Sequence, residues 1–143
     1  MRSIFFSLLF FCHGPLVRAE IFTYRPAIVE LTGTLELQTF PGPPNYESIQ
    51  HGDEIETHFY LRLKNPIEVK PTGKHQDVDN PEPETNVKIL QMTIGTQDSG
   101  VWSKIQNLGK EAKVTVRGKL FHRFTGHHHA RVLIGIDSIK GKE

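Results

Sequence analysis

Three consecutive histidines, His127, His128 and His129, stand in the stretch F-T-G-H-H-H-A at residues 124–130. Imidazole is a good ligand for zinc, copper and nickel, and its ordinary pKa lies close to physiological pH. The triplet therefore raises a metal site, a catalytic cluster or a pH-sensitive surface, set against the plainer reading of a polar loop tip. Zinc needs three or four ligands at about 2 Å, usually in tetrahedral geometry. Adjacent residues of an extended segment point to opposite sides, so His127 and His129 can converge while His128 faces away. Two ligands do not complete a zinc shell. His122 supplies the third candidate, so the candidate metal set is His122, His127 and His129, with zinc or copper as the ion and no other cofactor expected. His51, Asp53 or Glu54 could join from a distant loop. The spacing matches neither H-E-x-x-H nor a cysteine-containing zinc pattern.

Other chemistry is thinly represented. The chain has one cysteine, no G-x-S-x-G elbow and no phosphate-cradling glycine loop. Ser48, His51 and Asp53 provide the residue types of a hydrolytic triad, but they crowd one loop and nothing in the spacing dictates triad geometry. No catalytic residue is assigned on these grounds. The reading inclines to a non-enzyme, with metal-assisted hydrolysis through the histidines as the enzymatic alternative.

The N-terminus bears on where such chemistry would operate. Arg2 precedes a short apolar run, Ile4 to Cys12, and Val17-Arg18-Ala19 places small residues where a signal peptidase reads. The run is shorter than the roughly 20 residues that span a bilayer. Residues 1–19 are therefore expected to be a signal peptide, the alternative being a buried N-terminal strand or helix. Phe10-Phe11-Cys12 lacks the small residues that precede a lipid-modified cysteine. Cleavage would leave residues 20–143 as one domain without cysteine, stabilised by packing and hydrogen bonds alone. Of 17 basic residues the mature chain loses Arg2 and Arg18, leaving 15 against 16 acidic ones. A near-neutral exported chain argues against a nucleic-acid partner, and no second apolar stretch suggests a membrane span. The expected location is periplasmic or secreted, and the expected state is a monomer.

The elements that must position these residues are mostly strands. Ile28 to Thr39 alternates, with Val29, Leu31, Gly33, Leu35 and Leu37 on one side. Phe40 to Glu56 carries three prolines and two glycines and reads as a long, partly rigid loop. Thr57 to Lys64 alternates again, with Phe59, Leu61 and Leu63 inward and His58, Tyr60, Arg62 and Lys64 outward; residues 66–69 could extend it as a short edge piece. Lys70 to Thr85 is a polar, proline-rich surface loop. Asn86 to Ile94 forms a third strand. Val101, Ile105 and Leu108 then repeat at helical spacing within residues 97–108, with Thr96 a candidate start and Gly109 a candidate stop. Lys113 to His122 and Arg131 to Ile139 complete the set.

Three strands, a helix and two strands is the order of an OB-fold, a five-stranded Greek-key β-barrel with its helix between strands three and four. The expected fold class is thus mainly β, a small OB-like barrel, and the rival is an open β-sandwich or a sheet with one packed helix. Such barrels bind over the face of strands two and three, framed by the loop between strands one and two and the loop between strands four and five. The proline-rich segment and the histidine segment fall on those two loops. The candidate ligand surface is accordingly Phe40, Pro43, Pro44, Asn45 and Tyr46, with Tyr60 and Arg62 between the loops. The structural alternative is a stiff loop whose Tyr46 packs over the barrel end.

Three stretches, T-F-P-G-P-P-N-Y-E-S-I, G-D-E-I-E-T-H-F-Y-L-R-L and G-K-E-A-K-V-T-V-R-G-K-L-F-H-R-F-T-G-H-H-H-A-R-V-L-I, resemble an uncharacterised family of exported bacterial domains of unknown function. The resemblance runs from about Ala27 to Ile139. It implies a bacterial, periplasmic or secreted protein whose T-G-H-H-H stretch is native, and it carries no activity onto any histidine. The function expected from residues and resemblance together is a non-enzymatic binding module for a cell-envelope glycan, peptide or protein, of inhibitor or immunity type. The alternative is a metal-binding protein or metal-dependent hydrolase using the histidine cluster.

Overall fold

The computed structural model of the chain describes residues 18–73, 82–94 and 99–142. The apolar N-terminal run, the middle half of the Lys70–Thr85 loop and the proposed helix start at Thr96 lie outside the described residues. The elements are β1 (Glu20–Thr23), β2 (Val29–Pro41), β3 (Ile55–Lys70), β4 (Glu84–Ile94), α1 (Ser99–Leu108), β5 (Lys113–His122) and β6 (Val132–Gly141). A single 3-10 turn, Ile49–His51, interrupts the loop between β2 and β3.

Strands β2 to β6 close on themselves. β2 pairs antiparallel with β3 and with β5, β5 antiparallel with β6, β6 parallel with β4, and β4 antiparallel with β3. The ring β2-β3-β4-β6-β5 is a closed five-stranded barrel in the OB order, with α1 between its third and fourth strands. Closure leaves none of these five strands as a free edge along its whole length, and alternation fills the inside with Leu31, Leu35, Leu61, Leu90, Val116, Leu120 and Ile134. Val101 and Ile105 of α1 join that core, and the left-handed Gly109, whose N–H bonds back to the Ile105 carbonyl at 3.2 Å, ends the helix. Where β5 and β6 shift register, at Gly118, the Gly135 carbonyl occupies the space a side chain would need.

The structure departs from the sequence expectations in three ways. First, β1 pairs parallel with the end of β3, Glu20 to Thr23 against Ile67 to Lys70, a contact too short to leave an alternation signal. Second, β3 continues without a break through Asn65-Pro66 to Lys70, so residues 66–69, offered as a separate short edge piece, belong to the strand itself; the register with β4 shifts across the proline, which has no N–H to give. Third, β2 and β3 stay paired as far as Pro41 and Ile55, which shortens the expected loop to residues 42–54.

That longer hairpin projects beyond the barrel. Its inward-parity residues therefore lose their core partners: Leu37 is 48% exposed and Ile55 65% exposed. Its other side carries Phe40, Glu56, His58 and Tyr60. Tyr60, expected on an open outer surface, is instead only 2% exposed. It does lie outside the barrel's core cluster, but it is in register with Gln91, whose amide holds the loop after β5, and Phe40 lies 5.9 Å from its ring.

Candidate functional site

The loop at residues 42–54 is built around one carboxylate. Asp53 Oδ1 accepts the backbone N–H of Asn45 at 2.9 Å and its side-chain amide at 3.1 Å. Its Oδ2 accepts the backbone N–H groups of Glu47 and Ser48, both at 2.8 Å. The donors at Ser48 and Glu47, aided by Asn45, outweigh burial and draw the Asp53 carboxyl down to about 2. Both oxygens are therefore committed to the loop, and Asp53 is not the metal ligand that its position suggested. The same clamp holds Tyr46 at φ 60, a left-handed conformation unusual for an aromatic residue, with its N–H on the Gly42 carbonyl at 2.9 Å. Strain of this kind persists where the surroundings over-determine a side chain's direction, and here it aims the Tyr46 ring across to the histidine loop.

That second loop, residues 123–131, is organised by a buried amide. Gln91 of β4 is 1% exposed; its Nε2 donates to the His127 carbonyl at 2.7 Å, and its Oε1 accepts the N–H groups of His129 at 2.7 Å and Ala130 at 3.3 Å. With its backbone fixed, the triplet alternates. His128 turns toward Phe121 and Phe124 and takes the Phe124 N–H on Nδ1 at 3.1 Å. Burial, then the neighbouring charges of His127, His58 and His129, push its pKa below the ordinary value.

His127 and His129 turn the other way, onto Glu56. Glu56 Oε1 pairs with His127 Nδ1, while Oε2 lies 3.2 Å from His58 Nε2 and 3.3 Å from His129 Nε2. A carboxylate can only accept, so the facing imidazole nitrogens carry protons; the other ring nitrogen of His127, Nε2, lies 3.1 Å from the Tyr46 hydroxyl. The His129 ring is stacked on Phe40, with centroids 4.1 Å apart and planes within 4°. Burial raises the Glu56 carboxyl, but the hydrogen bonds from His58, His129 and His127 and the charge at His127 together hold it below the usual carboxylate range.

Two glycines make this junction possible. A Cβ on Gly126 would stand 3.0 Å from the Tyr46 ring, and one on Gly42 would stand 2.5 Å from Glu56 Cγ. The glycines of P-G-P-P-N-Y and T-G-H-H-H are thus the points where the two loops close on Tyr46 and Glu56.

The candidate residues fall into groups. Phe40, Tyr46, His127 and His129 meet at the junction, Pro43 is half-buried beside it, and Pro44 and Asn45 are exposed on its rim. Tyr60 lies beneath it, its hydroxyl without a hydrogen-bond partner among the described residues. Arg62 is exposed and pairs through two nitrogens with Glu36, Nη2 to Oε2 at 2.7 Å. His122 does not join His127 and His129. It bonds Glu84 at 3.2 Å and the Arg123 carbonyl at 3.1 Å, because the last residue of β5 faces the start of β4. Glu56, His58 and Gln91 were not among the candidates. Glu56 and His58 share one side of β3 by parity, and Gln91 interrupts the apolar run I-L-Q-M; those were the available signals.

Chemically, the junction offers one carboxylate with three imidazoles, two of which lie with it in a set whose ligand atoms are all within 4.8 Å of one another: Glu56, His58 and His129. Beside it an open groove is bounded by His58, Met92, Thr93, Ile94, Trp102 and His127. Among the described residues no helix is long and apolar enough to cross a membrane. No curated protein matches the chain. The stretch that carries Gln91 and all three histidines, residues 90–140, matches the model of an uncharacterised family, Domain of unknown function (DUF4431).

Proposed function

We propose that the chain is an exported, non-enzymatic OB-type binding module, working in the periplasm or outside the cell, whose two-loop rim receives a peptide or protein of the cell envelope. The observation that carries the reading is the junction itself. Loops 42–54 and 123–131 are locked to each other through Tyr46–His127 and Glu56, so the rim is preorganised before any ligand arrives. A rigid rim avoids the ordering cost that a mobile loop incurs on binding.

The choice of a polypeptide over a glycan rests on the exposed apolar side chains around the rim. Ile55 is 65% exposed, Phe124 57%, Leu37 48% and Ile49 41%. Leu37 and Ile55 share one side of the projecting hairpin, beside Trp102, which meets Phe59 edge-on at 5.3 Å. Aliphatic and aromatic surface grouped on a projection is the composition of a protein-contacting patch. An inhibitor or immunity-type protein, inserting this projection into a partner's cleft, fits that shape. Export is supported by Arg2, the apolar run to Cys12 and the small residues before Glu20, where β1 begins.

The test is partner capture from an envelope extract by the wild-type chain and by Ile55→Asp/Phe124→Asp, with Lys88→Ala as an exposed control. A partner retained by wild type and control but lost by the double variant supports the rim. Identical capture by all three removes it.

A further inference from the structure

We propose that Glu56, His58 and His129 form a binding site for one divalent transition-metal ion, zinc in the first instance, with His127 and Tyr46 holding the carboxylate from behind. The proposal is independent of the polypeptide partner above, since it rests on these side chains alone. It also replaces the set His122, His127 and His129, which the fold does not bring together.

The spacing of the ligand atoms is the first argument. Glu56 Oε2 lies 3.2 Å from one imidazole nitrogen and 3.3 Å from the other. In a tetrahedral shell with bonds of about 2.0–2.1 Å, neighbouring ligand atoms stand about 3.3 Å apart. Two edges of the shell are therefore already at length, and the third pair lies within 4.8 Å. An ion would replace the two imidazole N–H protons that now point at Oε2, so binding releases protons and strengthens as pH rises.

The ligands are also held in direction. Metal sites depend on neighbours that fix the ligands' direction. Here Glu56 Oε1 is occupied by His127 Nδ1, which leaves Oε2 for the ion, and His127 is itself steadied by the Tyr46 hydroxyl. The His129 backbone N–H is fixed by Gln91 and its ring by Phe40. All three ligands are partly shielded from solvent, with side-chain exposures of 14% for Glu56, 24% for His58 and 13% for His129. Two imidazoles and a carboxylate suit zinc and the neighbouring first-row ions better than calcium or magnesium, which prefer all-oxygen shells. Three protein ligands leave a position open, and His58 borders the groove that runs to Trp102.

The experiment is calorimetric titration of the untagged chain with zinc chloride, run beside His58→Gln, His129→Ala and His122→Ala, each first shown to be folded by circular dichroism. Cobalt is titrated in parallel, and its visible absorption reports a four-coordinate site. Expected are one ion per chain at micromolar Kd or tighter, unchanged by His122→Ala and lost in both His58→Gln and His129→Ala. His127→Phe should keep the stoichiometry and weaken binding about 10- to 100-fold. Should His129→Ala not fold, His58→Gln alone decides, because it leaves Gln91 and the histidine loop untouched. No saturable binding by wild type, or binding kept in folded His58→Gln, overturns the site.

Discussion

Replacing Gln91 by methionine isolates what organises the histidine loop. The side chains are similar in length, so the change removes three hydrogen bonds while nearly filling the same space: the donor to the His127 carbonyl and the acceptor for the His129 and Ala130 N–H groups. A typical internal hydrogen bond contributes about 0.5–1.5 kcal/mol net, and a buried group left without a partner costs about 1–3 kcal/mol. Ala130 is buried, so its N–H has no route to water, whereas the groups at His127 and His129 lie nearer the surface. Allowing about 1 kcal/mol returned by the buried thioether, the net loss should be about 2–3 kcal/mol. For a domain of this size that lowers Tm by about 10 °C. Urea unfolding followed by circular dichroism gives the free energy, and the imidazole resonances of His127 and His129 should shift in the same variant. A loss below about 0.5 kcal/mol, with those resonances unmoved, would refute the claim that Gln91 sets the loop.

Other consequences follow from single residues. Asp53 has a folded pKa of about 2 against an ordinary 3.8, so its contribution to stability is complete above pH 3.8 and is lost as pH falls through 2. Asp53→Asn should lower Tm at neutral pH and flatten the acid limb of the Tm-versus-pH curve between those values. Tyr60 carries a buried, unpartnered hydroxyl whose pKa burial pushes up to about 12, so Tyr60→Phe should be neutral or stabilising by up to about 1 kcal/mol in thermal unfolding. His128 binds its proton less readily when folded, so stability should fall as pH drops below the ordinary 6.5 toward its folded pKa; an NMR titration should show the ring titrating below 6.5, and His128→Phe should remove that part of the pH dependence.

Much of the barrel was legible because period-two alternation is a local signal. It located the five barrel strands, and the i, i+4, i+7 spacing located α1. Strand order then placed the proline-rich and histidine segments on facing loops. What stayed hidden depended on long-range contact. β1 has four residues and a parallel partner far along the chain. Tyr60 followed strand parity, but burial is decided by whatever packs over a strand, and here Phe40 lies against its ring. The Glu56 cluster joins residues 71 and 73 positions apart, so no window of sequence contains it. Strand parity instead favoured His122 and the facing loop favoured Asp53, which are engaged by Glu84 and by the Asn45–Ser48 backbone respectively. Gln91 was visible only as one polar residue in an apolar strand, a pattern that marks burial without naming its partners.

The two motif-bearing loops close on each other in the free protein. The Tyr46 ring reaches to within van der Waals distance of Gly126, so a nuclear Overhauser spectrum of the isolated, metal-free chain should show strong cross-peaks between the Tyr46 ring protons and the Gly126 α-protons. Absence of those cross-peaks, with the Gly126 and His127 resonances assigned and sharp, would contradict it.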